Sequence, residues 1–456
     1  MKFRVINSKN IYKEKRFDGS YHNADVNIYN DVITSHSEHT LSFYCSEIFT
    51  SGRNKRAYTL PEFGYPFLSN SDAASQNPFT TCKYNSKKYG FDETALLKGG
   101  MILTGRVGAI GQTTFVPKYW ERFKTMGSDN IIRIVVKPKY RNGFIYAYLA
   151  SKVGNLSFWK HATGGVQPFI TDAMVGSLPI PHFPESFQKE VDDLIQESAR
   201  LREEAADALE NAKEEMSLFI GINHKSNKYK TDIVSSKAIW NSLQHRLDPP
   251  ALMNDGVVTM NQVSSIFQHK TIGEINARVH RPGIFKRSYV ENGLPYIKGS
   301  EIFLTNPFRR CEYLSKTRTP FVEEMSLSEG QILITCAGSV GNVKMITKEY
   351  EDKGAIGSQD IIRLISSDSL YSNEYLFTYL QMPFVFDYIQ SMKYGSVIER
   401  IEPFHVESIP VVEPTIELSA KITSLIRQYM AKTYRAFKCE EQAIHMVERE
   451  IESWNK

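Results

Sequence analysis

Long apolar runs are missing from this 456-residue chain. None reaches the roughly 18 residues that a membrane-spanning helix needs, so no membrane association is expected. The stretch MKFRVINSKNIYKEKRFDGSY at the N-terminus has no apolar centre, so no secretory signal is expected either. Cysteine is sparse: Cys45, Cys82, Cys311, Cys336 and Cys439 are scattered, odd in number and without metal-ligand spacing. They read as reduced thiols in a cytoplasmic protein. The eleven histidines show no paired spacing, and no metal site is expected. A strong excess of one charge is absent too, the net being +4.

The distribution of that charge says more than its sum. Phe187 to Ile220 holds four Lys/Arg and ten Asp/Glu, a local balance of −6, so the remainder carries +10. Basic charge outside one acidic stretch suits a polyanionic partner, although a merely soluble surface fits as well.

What the chain has in abundance is itself. GSDNIIRI from Gly127 returns as GSQDIIRL from Gly357. KRAY at Lys55 faces KRSY at Lys286, and RFDGSYH from Arg16 faces RLDPPAL from Arg246. GYPFLSNSDAASQNPF from Gly64 faces GLPYIKGSEIFLTNPF from Gly293 without a gap. GMILTGRVGAIG from Gly100 faces GQILITCAGSVG from Gly330. NGFIYAYL from Asn142 faces NEYLFTYL from Asn373, and GGVQPFITDAMVGSLPIP from Gly164 faces GSVIERIEPFHVESIPVV from Gly395. The offset stays between 229 and 231 throughout, so the protein is two copies of one unit.

Each copy opens with short β-branched runs punctuated by Gly, Pro and Asn, which predicts a mixed α/β lobe. IIRIVV reads as a strand leaving a turn, and ILTGRVGAIG as a buried strand entering a glycine turn. After PIPHFPES and PVVEPTIE the prolines mark helix starts. Phe187, Val191, Leu194, Ser198, Leu201, Ala205, Ala208 and Ala212 then step by four and three alternately. Leu418, Ile422, Leu425, Tyr429, Lys432, Ala436, Cys439 and Ala443 occupy the equivalent steps in the second copy. A seam at this spacing predicts two long helices with coiled-coil packing.

With the doubled motifs and both helices in hand, the chain resembles the specificity subunits of type I restriction-modification systems. The resemblance covers essentially the whole chain. It rests on the doubled order of RFDGSYH and RLDPPAL, the glycine-turn strands, GSDNIIRI and GSQDIIRL, and GGVQPFI and GSVIERI before SLPIP or SIPVV. It implies an α+β fold: two pseudo-symmetric α/β target-recognition domains joined by two long antiparallel coiled-coil helices. The corresponding division is residues 1–182 and 223–412 for the recognition domains, with spacer helices in 183–222 and 413–456. It also implies a non-catalytic, sequence-specific DNA-binding subunit. Each lobe would read one half of a bipartite, asymmetric double-stranded target. The helices would dock two modification subunits, with Leu194, Leu201, Leu425 and Tyr429 as docking positions. Restriction subunits would complete the complex. No cofactor is expected in this chain; S-adenosylmethionine, ATP and magnesium would belong to the partners. A helix of about 30 residues spans roughly 45 Å, against about 34–36 Å for a turn of DNA, so the helices would set the spacer between half-sites. Two alternatives stay open: a separate recognition chain of a type II-like restriction-methyltransferase, and a non-catalytic scaffold.

Motifs for catalysis are weak. DPPA at Asp248 matches the Asp-Pro-Pro-aromatic signature of adenine methyltransferases only in part, since Ala251 cannot stack a flipped base. The first copy has DGSY there, and no cofactor loop precedes either. TGRVGAIG, with Gly105, Gly108 and Gly111, lacks the Gly-Lys-Ser/Thr of a phosphate loop and reads as a tight turn needing positive φ. Basic clusters are the better candidates for contact with DNA: Arg53, Lys55 and Arg56 in the first copy, and Arg278, Arg281, Lys286 and Arg287 in the second. Arg309 and Arg310 follow NPF in the second copy alone. Arg106 stands where the second copy has Cys336, and Gln167 lies in GVQP where the second has SVIE. Arginine and lysine neutralise phosphates, and arginine also reads guanine edges.

Overall fold

The structure, a computed structural model, describes residues 5–454 apart from 18, 23–26, 54, 165, 223–233 and 242. Asp18 of RFDGSYH, Asn54 of the first basic loop and Gly165 of GGVQPF lie outside the described residues. The chain divides into two compact units, one of residues 1–203 with 435–456 and the other of residues 204–434. Each unit therefore takes a lobe and part of each long helix.

In the first unit the strands are β1 (His39–Thr40), β2 (Cys45–Thr50), β3 (Tyr58–Thr59), β4 (Gly64–Leu68) and β5 (Lys83–Ser86). There follow β6 (Ile102–Gly105), β7 (Thr113–Phe115), β8 (Met126–Gly127), β9 (Ile131–Val136) and β10 (Pro179–Ile180). They form a main sheet in the order β2-β9-β6-β7, a small sheet β3-β5-β4-β8, and the pair β1-β10. Within the small sheet β4 runs parallel to β8, and within the main sheet β9 runs antiparallel to β6 with Ile102 opposite Ile134.

The second unit repeats this plan. Its strands are β11 (His269–Thr271), β12 (Ala277–His280), β13 (Tyr289–Val290), β14 (Leu294–Ile297) and β15 (Glu312–Leu314). Then come β16 (Ile332–Thr335), β17 (Val343–Met345), β18 (Ile356–Gly357), β19 (Ile361–Ser366) and β20 (Pro410–Val412). The sheets are β12-β19-β16-β17, β13-β15-β14-β18 and β11-β20. Ile332 pairs with Leu364 and Thr335 with Ile361, the register of the first unit shifted by 230 residues. An α+β fold in each unit, with the same strand order, agrees with the internal repeat.

The central strands are buried on both faces, which explains their continuous apolar runs. Period-two alternation then decides which layer each side chain joins. Ile332, Ile334, Ile362 and Leu364 enter the core beneath the helices Asn373–Leu380 and Pro383–Ser391. Leu333 and Ile361 face the other way and pack with Ile297 and Ile302 near the small sheet. In the first unit Ile102, Ile132 and Ile134 join Phe144, Ile145 and the long helices. Burying each such side chain contributes about 1.5–3 kcal/mol. Arg133 and Arg363, at the centre of this layer, are wholly buried as well.

The long helices are Glu185–Ile220 and Ile416–Ser453. In the first unit Phe183 meets Trp454 at 4.7 Å between ring centres, while Ser198 Oγ donates to the Ala436 carbonyl at 2.8 Å. One number rises as the other falls, so the segments pair antiparallel. In the second unit Lys432 bonds Glu204 at 3.0 Å and Lys421 bonds Glu215 at 2.7 Å, again antiparallel. Val191, Ser198, Leu201, Ala205, Ala208 and Ala212 of the expected seam are buried. In the second helix three expected seam positions are not: Leu425, Lys432 and Cys439 are half-buried, and their neighbours Ile426, Thr433 and Glu440 face inward. The reason is arithmetic. A strict four-three pattern drifts about 20° per heptad against a straight helix, so after several turns the buried face moves to the next residue.

Candidate nucleic-acid interface

Three of the doubled motifs converge at one end of the main sheet in each lobe. In the first lobe the Arg106 N–H, just past β6, donates to the Asn130 carbonyl at 2.8 Å, in the loop between β8 and β9. The Arg106 carbonyl in turn accepts the Ile170 N–H at 2.9 Å. Two backbone bonds between Thr163 and Phe169 close a hairpin, with Gly164 at φ 99°. Phe169 also bridges to Val107, and Asn70 Nδ2 donates to the Val107 carbonyl at 3.2 Å.

The second lobe reproduces this with different side chains. Cys336 N–H donates to the Asp360 carbonyl at 3.2 Å, and Ile401 N–H donates to the Cys336 carbonyl at 3.0 Å. Tyr394 and Arg400 close the matching hairpin, Gly395 has φ 102°, and Arg400 bridges to Ala337. The glycine turn adopts the expected positive φ at Gly108 (75°) and Gly111 (69°), and at Gly338 (74°) and Gly341 (88°). Gly105 differs: it is needed for close approach, because a Cβ there would sit 2.5 Å from the Ala109 carbonyl oxygen.

The arrangement is a rigid base carrying protruding loops. The hairpin tips expose apolar side chains: Val166 is 103% and Val397 92% accessible. Sequence reasoning missed these valines, although the aligned Gly-Val and Ser-Val of the two motifs were legible. Gln167 is exposed beside Val166. Arg106 is half-buried at the hairpin base, whereas Cys336 in its place is fully buried and burial pushes its thiol up to about 11.

The expected basic residues divide into two kinds. Arg53 and Lys55 are exposed in the loop between β2 and β3; Arg278 is exposed on β12 and Lys286 in the loop that follows. Others serve the lobe itself. Arg56 Nη2 bonds Asp129 at 2.8 Å, which fastens the basic loop to the β8–β9 loop. Arg281 bonds Glu402 at 3.0 Å, and Tyr394 OH donates to the same carboxylate at 2.9 Å, so Arg281 braces the second hairpin. Arg287 Nε donates to Tyr296 OH at 2.8 Å. Arg309 is half-buried and Arg310 exposed, next to β15 and away from the converging loops in sequence. Of the expected docking positions, Leu201 (1%) and Tyr429 (6%) are buried in the packing of their own units and present no surface to a partner. Leu194 and Leu425 are half-buried against the cores.

The Asp-Pro-Pro-Ala element is structural. Asp248 pairs with Arg246, whose guanidinium also donates to the carbonyls of Ser391 (3.0 Å) and Lys393 (2.7 Å). Arg16 makes the matching bond to the Ala162 carbonyl at 3.3 Å in the first lobe. Among the described residues no group of three or more His, Cys, Asp or Glu could hold a metal ion, and no helix is long and apolar enough to cross a membrane.

Residues 266–441, most of the second lobe and of its long helix, match the family model described as Type I restriction modification DNA specificity domain. No curated protein matches the chain. Among solved structures it is similar to a type I restriction-modification S subunit from M. genitalium, at 14% identity and TM-score 0.38, covering 90% of this chain and 94% of that one. It is also similar to the HsdS subunit from Thermoanaerobacter tengcongensis, at 14% identity and TM-score 0.28, covering 90% and 95%. Scores this low carry no argument about arrangement. The chain thus contains a stretch similar to the DNA specificity domain of type I restriction-modification systems.

Proposed function

We propose that the chain is the DNA-recognition subunit of a restriction-modification complex, each lobe reading one half of an asymmetric bipartite target. The observation that carries this is the pair of equivalent loop platforms. Their backbone frameworks correspond motif by motif, while the side chains they expose differ: Val166 and Gln167 against Val397 and Ile398, with half-buried Arg106 standing where the second lobe buries Cys336. One framework with two sets of exposed side chains reads two different short sequences. The chain supplies no chemistry of its own in this reading. Methyl transfer, with S-adenosylmethionine, and any ATP- and magnesium-dependent cleavage belong to modification and restriction subunits held by the long helices.

A division of labour within each lobe belongs to the same reading. Phosphate contacts by exposed Lys and Arg position the lobe and are sensitive to salt. Side chains reaching base edges, including apolar contacts with thymine methyl groups, carry sequence information. The test is methylation-site mapping with the full chain and its modification subunits. Exchanging the hairpin 163–169 for 394–400 should change one half-site and leave the other intact. A change in both halves, or in neither, overturns the reading.

A further inference from the structure

We infer that the small sheet of the first lobe carries a phosphate-binding track for duplex DNA, built from Lys83, Lys87 and Lys124 over Tyr58 and Tyr65, which the second lobe lacks. The inference rests on the DNA-binding reading above and adds a surface that neither the motifs nor the basic clusters indicated.

Three observations carry it. First, the cations and rings interleave. Lys83 Nζ lies 4.7 Å from the centre of the Tyr58 ring, and Lys87 and Lys124 lie 5.5 and 5.6 Å from that of Tyr65. All three lysines are exposed, and none forms an ion pair among the described residues. Lys87 donates only to the Glu62 carbonyl, at 3.0 Å. Aromatic faces hold such ammonium groups in place without neutralising them, so their charge stays available to an anion.

Second, the other lobe keeps only one of these charges: Lys316 stands where the first copy has Lys87, and the other two places are emptied. Phe67 sits opposite Lys83 in the first small sheet; in the second, Tyr296 sits opposite Glu312, which bonds Lys298 at 2.6 Å. Leu294 stands where the first copy has Tyr65, and Gly354 where it has Lys124.

Third, Lys124 is held at a conformational cost. Its φ is 49°, in the left-handed region, and Gly354 has φ 60° at the same turn. Glycine is the residue this turn favours, and a lysine there is strained. Strain retained at an exposed cation points to a use for that cation. The regular strand lattice under the track and its continuity with β8, which leads into the converging loops, suit the backbone of a duplex bound at those loops.

The experiment is a salt titration of the full chain on a short random-sequence duplex, followed by fluorescence anisotropy. Each lost phosphate contact lowers the slope of log K against log salt by about 0.9. The variant carrying K83Q, K87Q and K124G should lose two to three such contacts, about 2–3 in slope. Lys189→Gln, on the long helix and paired with Asp193 at 2.5 Å, should leave the slope unchanged. K124G alone gives the sharper result: weaker binding with an unchanged or higher melting temperature, because glycine relieves the turn. An unchanged slope in the triple variant overturns the track while leaving DNA recognition standing. A wild-type chain that binds no duplex overturns both. Weaker binding by K124G together with a lower melting temperature also overturns the track, since the lysine would then be structural.

Discussion

The guanidinium of Arg133 donates to the Gly127 carbonyl at 2.6 Å, and that of Arg363 repeats the bond to Gly357 at 2.7 Å. Each arginine also donates to the carbonyl two residues behind it, Ile131 or Ile361, at 2.8 Å, and to Ala95 or Met325 across the layer. Both are fully buried, and burial pulls each down to about 10. The arginine of GSDNIIRI and GSQDIIRL is thus a clamp that ties the turn between β8 and β9, or β18 and β19, to the sheets. The glycine is its counterpart: a Cβ at Gly127 or Gly357 would lie 2.9 Å from the guanidinium nitrogen.

Arg133→Met should therefore leave several buried carbonyls without a donor and cost at least about 3 kcal/mol, since each orphaned group costs about 1–3 kcal/mol. Gly127→Ala should destabilise in the same direction by crowding the clamp. Urea unfolding of both variants, with Arg363→Met as the second-lobe counterpart, measures this. A loss below about 1 kcal/mol for Arg133→Met would show that the turn holds without the clamp.

Glu440 is 4% exposed and accepts from Tyr146 OH at 2.6 Å and from Arg202 at 2.5 Å. Arg202→Ala should cost about 3–5 kcal/mol, because it strands a carboxylate inside the first unit. The repeat supplies an uncharged replacement: Phe377, Thr433 and Leu209 hold the equivalent places in the second unit. The triple change Tyr146→Phe, Arg202→Thr, Glu440→Leu should recover most of that loss. Thermal melting of the single and triple variants decides, and a triple variant less stable than Arg202→Ala refutes the account.

His405 is wholly buried, and its Nδ1 accepts the Glu402 N–H at 3.0 Å. Burial holds its imidazole below the usual range, and His280 is lowered by burial and by Arg278 and Arg363. The unfolded chain then takes up these protons first as pH falls. Their stabilising contribution is complete above about pH 6.5 and is lost as pH drops through that value towards the folded pKa. The first copy has Met174 in place of His405. His405→Met should flatten the fall in melting temperature between neutral and mildly acidic buffer. An unchanged fall would place the acid sensitivity elsewhere.

Exposed basic residues should divide by lobe. Arg53→Ala with Lys55→Ala should alter binding at one half-site, and Arg278→Ala with Lys286→Ala at the other. A lost base contact costs roughly 1–3 kcal/mol and relaxes specificity, whereas a lost phosphate contact weakens all sequences alike. Arg281→Ala and Arg287→Ala should instead lower the melting temperature, because those side chains brace Glu402 and Tyr296. Methylation mapping and melting curves together separate the two kinds.

The sequence by itself determined the repeat, the strands at IIRIVV and IIRLIS, the glycine turns and both long helices. These depend on local chemistry: β-branched runs, positive-φ glycines and apolar spacing act within a few residues. It also brought the motifs of each lobe to notice without saying that they meet. Only the tertiary structure decided that the Arg106 turn, the β8–β9 loop and the 163–169 hairpin share one platform, since their contacts join residues far apart in the chain. It decided as well which cations face solvent. Arg56, Arg281 and Arg287 read like Arg53 and Lys55 in the sequence, but folding places a carboxylate or a phenol beside each of them. Spacing reveals a charge and never its partner, so the lysines over Tyr58 and Tyr65 emerged only when β4, β5 and the turn at Lys124 came together.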